Sequence, residues 1–149
     1  MSLNKYVSQI KTIPHNEQVV FNYLSNFENL SAYLNSGLVE KITQLVPQIK
    51  ITDFQSDRNS CKFNITGLGI AEIRIVNREP FKTIKVESSG VSSSNFKFWI
   101  QLLPADSFTT KLRLTLHAEL SMMIKMIAGS KLEDGINQLA ETLSKLPYN

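Results

Sequence analysis

The sequence predicts an α+β protein in which a curved antiparallel sheet of about six to seven strands wraps around one long C-terminal helix. Apolar and polar residues alternate in successive segments between residues 48 and 120. Residues 122–146 instead carry apolar side chains at helical spacing, and two short helical patterns follow the first strand. One face of such a sheet is exposed to water and the other must be covered, so the C-terminal helix is expected to pack on the apolar face.

The N-terminal region predicts one strand followed by two short helices. Residues 5–13 are rich in β-forming residues and end at Pro14, which cannot extend a central strand. Apolar residues at three- and four-residue spacing predict a helix from about Asn16. Ser25 and Glu28 have the spacing of a capping box, so a second short helix is expected to run to about Leu34.

The middle of the chain predicts the remaining strands. A strand near residues 48–54 is followed by turn residues 56–59, Gly67 and Gly69 mark the next turn, and Pro80 separates two later strands. Alternation assigns the following residues to the inner face: Cys61, Phe63, Ile65, Ala71, Ile73, Ile75, Ile84, Val86, Phe96, Phe98, Ile100, Leu102, Leu112, Leu114, Leu116, Ala118 and Leu120. The last strand shows the clearest alternation.

The C-terminal segment predicts one long helix that Pro147 ends. Gly129 interrupts its first half, and Ser130 and Glu133 again have capping-box spacing. We therefore expect a kink or a restart of the helix at this point.

Composition limits the classes of function. The 149 residues are 42% hydrophobic and 19% charged, which favours a single globular domain over residues 1–149 and excludes a disordered or collagen-like chain. A net charge of +3 is too small to make nucleic acid the default partner. With one cysteine, Cys61, and two histidines, the chain has no internal disulfide and too few ligands for a structural zinc site. No segment resembles a secretion signal or a membrane span, so a cytoplasmic protein without a cofactor is expected.

Three segments carry a family resemblance. Residues 13–30, IPHNEQVVFNYLSNFENL, are similar to a strand that runs into a helix pair, and residues 75–84, IVNREPFKTI, are similar to a mid-sheet hairpin. Residues 118–120, leading to Met126, are similar to the entry into a last helix. With these segments the chain resembles, over nearly its whole length, the helix-grip proteins of the START/Bet v 1-like superfamily (SRPBCC), including bacterial polyketide cyclase/dehydrase and lipid-transport proteins. Asn26 stands where many relatives have Asp.

The resemblance implies an apolar cavity between the sheet and the C-terminal helix that binds lipids, sterols, polyketides or other hydrophobic molecules. The candidate lining residues from the sheet are Phe63, Ile65, Ile73, Ile75, Phe98, Ile100, Leu114 and Leu116. Those from the helix are Met123, Met126, Ile127, Leu132 and Ile136. Methionine suits an adaptable pocket wall, whereas plain core packing is the alternative for each residue. Tyr33, Asn35 and Asn77 are the candidate polar groups at the cavity mouth.

The sequence predicts no catalytic and no metal site. Alternation places His117 on the outer face beside Arg113, which favours a solvated residue over a catalytic base. His15 follows Pro14 at the start of the first helix, where a surface residue is expected. Trp99 is an outward aromatic residue and a candidate contact for a partner or a second copy.

Three functions are compatible with this sequence. The favoured one is non-enzymatic binding or transport of a small hydrophobic ligand, with no nucleic acid and no integral membrane association, by a monomer or weak homodimer. The second is a polyketide cyclase/dehydratase-type enzyme, which requires a buried acid or histidine inside the cavity. The third is a non-catalytic interaction module that uses Trp99 and the outer face of the sheet.

Overall fold

The computed structural model describes residues 2–29, 44, 50–66, 69–89, 94–120, 125–126 and 131–148. The elements are β1 (Ser2–Val7), β2 (Lys11–Ile13), α1 (Glu17–Leu24), β3 (Ile51–Ser56), β4 (Ser60–Ile65), β5 (Gly69–Glu79), β6 (Thr83–Ser89), β7 (Ser94–Pro104), β8 (Thr110–Leu120) and α2 (Leu132–Ser144). The strands form one antiparallel, open sheet in the order β1-β8-β7-β6-β5-β4-β3, and β2 also pairs with β8. The predicted α+β architecture of a curved sheet with a C-terminal helix is confirmed.

The sheet has eight strands because the predicted first strand is divided in two. β1 and β2 pair with successive parts of β8, and the residues between them bulge away from the ladder. At this bulge the backbone N–H of Ser8 donates to the carbonyl of Leu114 (2.8 Å), and the N–H of Leu114 donates to the Ser8 hydroxyl (2.9 Å). The serine side chain thus replaces a ladder carbonyl, and the N–H of Gln9 becomes available to Asn137 of α2 (2.8 Å).

Helix α1 begins where the sequence predicts. The side chain of Asn16 accepts a hydrogen bond from the N–H of Val19 at 2.9 Å, which caps the helix. Ser25 is the C-cap of α1 rather than the N-cap of the next helix. Residues 27–29 are helical, and the side chain of Asn26 accepts from the N–H of Glu28 at 2.9 Å. The predicted end of this helix near Leu34 lies outside the described residues.

Helix α2 forms the second half of the predicted C-terminal helix. Residues 125–126 are also helical, but the segment that contains Gly129 and Ser130 lies outside the described residues. The N-cap of α2 is Lys131, one residue after the serine that the capping box predicted. The helix ends at Ser144, before Pro147, and packs on β8, β1 and β2.

Strand β5 contains an irregularity that changes the direction of its side chains. Ile75 pairs with Val86, but the next pair joins Asn77 to Lys85, so one extra residue stands in β5. Beyond this bulge Arg78 is opposite the buried Ile84 and therefore shares its inner face. Simple alternation from Ile75 would have placed Arg78 on the outer face.

Candidate ligand-binding site

The inner face of the sheet is buried unevenly along its length. Near α1 and the C-terminal half of α2, the side chains of Ile84, Leu112 and Leu114 are 0% exposed. We call this region the packed end. Four other inner-face residues that pack against the core are only partly buried, and they lie on β4, β5, β7 and β8: Phe63, Ile73, Phe98 and Leu116. We call these four residues the half-buried end.

The strand register places Leu116 and Phe98 of the half-buried end in one row with other inner-face residues. Tyr6 of β1 is opposite Leu116 of β8, which is opposite Phe98 of β7. Phe98 is in turn opposite Val86, and Val86 is opposite Ile75. Because directly opposed Cβ atoms are about 4.5–5.5 Å apart, these five side chains form one row across five strands.

A second row runs beside the first. Phe96 of β7 pairs with Ala118, and Ile73 of β5 pairs with Cys61 on one side and Ser88 on the other. The N–H of Phe96 donates to the hydroxyl of Ser88 at 2.9 Å, which links β6 and β7 where their regular pairing has ended. Among the described residues, the half-buried end is therefore a mainly apolar patch.

The same architecture occurs in several solved structures. Norcoclaurine synthase from Thalictrum flavum, in complex with dopamine and hydroxybenzaldehyde, superposes with a TM-score of 0.62 at 10% identity over 97% of this chain and 86% of its own. A START superfamily protein from Mycobacterium smegmatis gives 0.52 at 15% identity, covering 95% and 98% of the two chains. The Zhui aromatase/cyclase from Streptomyces sp. R1128 gives 0.57 at 10% identity, covering 96% and 92%.

The chain has the START/Bet v 1-like helix-grip fold. The resemblance seen in the sequence is thereby confirmed at the level of the fold. No protein-family model and no curated protein matches the sequence.

Within the helix-grip fold, the predicted lining residues fall into three groups. Ile75, Ile100, Leu114 and Ile136 are buried in the core. Phe63, Ile65, Ile73, Phe98, Leu116 and Leu132 are half-buried. Met126 is 82% exposed and lies apart from both groups, whereas Met123 and Ile127 are outside the described residues.

The predicted polar groups do not meet at this site. Tyr33 and Asn35 are outside the described residues. Asn77 is exposed and opposite Lys85, whose ammonium lies 5.7 Å from the ring centre of the outward Trp99. The bulge in β5 thus corrects the assignment of Asn77, because it places this side chain on the outer face.

Two inner-face polar residues were missed from the sequence. Tyr6 and Asn4 are opposite Leu116 and Ala118, so both belong to the inner face at the β1 edge. The predicted strand began at Lys5 and therefore left out Asn4, whereas Tyr6 lay within it but was not assigned to a face. Tyr6 is thus opposite Leu116 of the half-buried end, and Asn4 lies one inner-face position further along β1.

Arg78 is the third missed residue. Its guanidinium donates from Nε and Nη2 to the carbonyl of Ser25 (3.1 and 2.7 Å) and from Nη2 to the side chain of Asn59 (2.8 Å). Loss of hydration on burial, followed by the charge of Arg58, lowers the pKa of Arg78. Arg78 therefore ties the C-terminal end of α1 to the turn before β4, and its role is structural.

Cys61 has the environment that the sequence predicts for a small buried hydrophobe. Its side chain is 0% exposed, and burial raises the pKa of the thiol to about 11. The thiol is therefore protonated at neutral pH and a poor nucleophile. Among the described residues, no group of acidic, histidine or cysteine side chains is placed to hold a metal ion. No helix in the described ranges is long and apolar enough to span a membrane.

Proposed function

We propose that the protein binds or transports a small hydrophobic molecule, of a lipid, sterol or polyketide-like class, against the half-buried end of the inner face. The observation that carries this proposal is the step in burial between two neighbouring pairs of β7 and β8. Ile100 and Leu114 are buried, whereas Phe98 and Leu116, the next inward pair, are only half-buried. Covering apolar surface is favourable by about 25 cal/mol per Å² removed from water. A ligand there would complete burial that the side chains leave partial.

The proposed contact surface consists of six half-buried residues supported by four buried ones. The half-buried residues are Phe63, Ile65, Ile73, Phe98, Leu116 and Leu132. Ile75, Ile100, Leu114 and Ile136 are buried in the adjoining core. Met123 and Ile127 are further lining candidates from the helical pattern of the sequence alone. Tyr6 is the candidate for a polar contact that orients the ligand, because its neighbour in register is Leu116.

The first experiment is native mass spectrometry of the freshly purified protein, followed by solvent extraction and identification of released compounds. A stoichiometric apolar adduct would support the proposal and name the ligand class. If only the mass of the unliganded protein is observed, binding is tested with an added fluorescent probe. N-phenyl-1-naphthylamine is suitable because it is neutral and apolar and fluoresces in apolar surroundings. Failure of both approaches would contradict the proposal.

A matched pair of leucine variants locates the probe. Leu116 is a half-buried inner-face residue, whereas Leu103 is 63% exposed on the next strand. Leu116→Asn is expected to weaken binding of the naphthylamine by about tenfold, because it places an amide against the ligand. Leu103→Asn is expected to leave the affinity unchanged. If the two variants have equal thermal stability and bind the naphthylamine with equal affinity, the proposed contact surface is wrong.

The second candidate function is a cyclase/dehydratase-type enzyme. It is supported by two proteins of the same fold, one named a synthase and the other an aromatase/cyclase, and by the position of Tyr6 opposite Leu116 in the register. In such an enzyme the apolar surface would fold a reactive chain and a hydroxyl would move a proton. Tyr6→Phe separates the two candidates, because it would abolish turnover of an added polyketide-like substrate while naphthylamine binding persists.

We further expect a reducing, cytoplasmic setting and a monomer or weak homodimer. The single cysteine is free and buried, as is usual in a protein that needs no disulfide. Size-exclusion chromatography with light scattering tests the oligomeric state.

A further inference from the structure

The outer face of the sheet carries a feature that the proposed function does not use. Six side chains from β1, β7 and β8 surround a shallow groove of about 350 Å³. They are Val7, Trp99, Gln101, Arg113, Thr115 and His117. The groove lies on the side of the sheet opposite to the half-buried end, so the two surfaces are separate.

An aromatic pair forms one part of the groove. The rings of Trp99 and His117 meet at an angle of 67°, with their centres 4.7 Å apart. Val7, which is 52% exposed, is opposite Thr115 and adds an aliphatic surface. The groove therefore offers an apolar wall, made of two tilted rings and an aliphatic side chain, against which a single ring can pack.

Gln101 fixes the cationic group of the groove. Its Oε1 accepts from the Nε of Arg113 and from the hydroxyl of Thr115, both at 2.9 Å. Because arginine has five N–H donors and Gln101 takes only the one on Nε, the Nη groups are left to bind an anion. Arg113 is opposite Gln101, and Gln101 follows Trp99 by two residues on β7, so the charge and the ring lie on the same face.

The surroundings of the groove are positively charged. His117 is opposite Lys5 on one side and Lys97 on the other. In the part of the chain that the structure describes, no ion pair neutralises Lys5, Lys97 or Arg113. Glu87 on the same face is already paired with Lys85, at 3.4 Å. The remaining acid on these strands' outer face is Glu119 at the end of β8.

We propose that this groove binds a small aromatic carboxylate. The carboxylate pairs with the guanidinium of Arg113, and the ring packs against Trp99. The groove favours an anion because basic side chains outnumber acidic ones around it. It favours an aromatic ligand because Trp99 and His117 form the wall of the groove. The volume of about 350 Å³ suits a ligand of one or two rings rather than a protein segment.

Trp99 is the only tryptophan of the chain, so its indole N–H signal reports directly on the groove. The test is a titration of ¹⁵N-labelled protein with benzoate and, separately, with the neutral benzamide, at constant ionic strength. Benzoate is expected to move the indole cross-peak in a saturable way, while benzamide binds at least about tenfold more weakly. Equal response to the two compounds, or no response to benzoate, would overturn the proposal.

Two arginine variants complete the test. Arg113→Gln is expected to weaken benzoate binding by about tenfold, because it removes the charged donors. Arg74→Gln is the matched control, since Arg74 is also exposed on the outer face but lies on β5, away from the groove. An unchanged benzoate affinity in the Arg113 variant would overturn the site. Binding of N-phenyl-1-naphthylamine is expected to be the same in both variants, so the outcome does not depend on the proposed ligand of the inner face.

Discussion

The packed end and the half-buried end share strand β8 and carry the same alternating pattern, yet their burial differs. Leu112 and Leu114 are 0% exposed, whereas Leu116, two residues further along β8, is half-buried. The difference follows from what covers each region. Alternation decides which face of a strand turns inward, but the helices and the chain ends decide how much of that face is shielded from water.

The packed end is closed by an aromatic cluster around the C-terminal residues. Tyr148 is 0% exposed, and its ring centre lies 5.1 Å from that of Tyr23 and 5.8 Å from that of His15. Its hydroxyl donates to the carbonyl of Leu143. Burial, with a smaller effect of Tyr23, raises the pKa of the Tyr148 hydroxyl. The C-terminal residues thus complete a core that α1 and α2 alone leave incomplete.

The largest expected effect tests this difference with two equal truncations on one strand. Leu112→Ala is expected to lower the free energy of unfolding by about 3 kcal/mol, because it leaves a cavity in a fully packed region. Leu116→Ala is expected to lower it by about 1 kcal/mol, because the side chain is already partly hydrated. Urea denaturation of both variants measures the two values. Equal losses would show that the two ends are packed alike.

An intermediate effect is expected from Arg78, which belongs to the packed end through its contacts with Ser25 and Asn59. Arg78→Gln is expected to lower the free energy of unfolding by about 1–2 kcal/mol, because the carbonyl at the end of α1 loses a charged donor. The exposed Arg74→Gln is the control and is expected to change it by less than about 0.5 kcal/mol. If urea denaturation gives equal losses of unfolding free energy for the two variants, the position of Arg78, which the β5 bulge sets, has no stabilising consequence.

The smallest effect concerns the surface attachment of α2 to the packed end. Glu141 accepts from Lys11 of β2 at 2.8 Å and from Lys145 at 2.7 Å. Hydrogen bonds and charge from these two ammonium groups, Lys11 first, lower the pKa of Glu141 from 4.5 to about 2. Since the folded pKa is below the ordinary value, the stabilisation is present above pH 4.5 and is lost as the pH falls toward 2.

Glu141→Gln is therefore expected to lower Tm by about 1–2 °C at pH 7, where the wild-type carboxylate is ionised. The difference in Tm between the two proteins is expected to shrink as the pH falls from 4.5 toward 2. Thermal unfolding followed by circular dichroism measures it. A difference that is independent of pH would show that the ion pairs do not stabilise the helix contact.

Much of the candidate site was predictable because it depends on period-two patterns. The alternation in β8 identified Leu114 and Leu116 as inward residues, and the register confirms both opposite their inward neighbours on β7. Asn77 was assigned incorrectly and Arg78 was missed, because one extra residue in β5 reverses the side-chain direction and no residue type marks it. The division between β1 and β2 was missed for the same reason, since the bulge depends on a hydroxyl of Ser8 that meets a distant N–H.

The sequence by itself determined the order of strands and helices, the inner face of each regular strand and the absence of a disulfide, because these follow from local periodicity and composition. Tertiary structure alone decided where the inner face is packed and where it is half-buried, and it brought Arg113, Trp99 and His117 together on the outer face. These features depend on strand register and on bulges. Both are set by contacts between residues far apart in the chain, which no local pattern records.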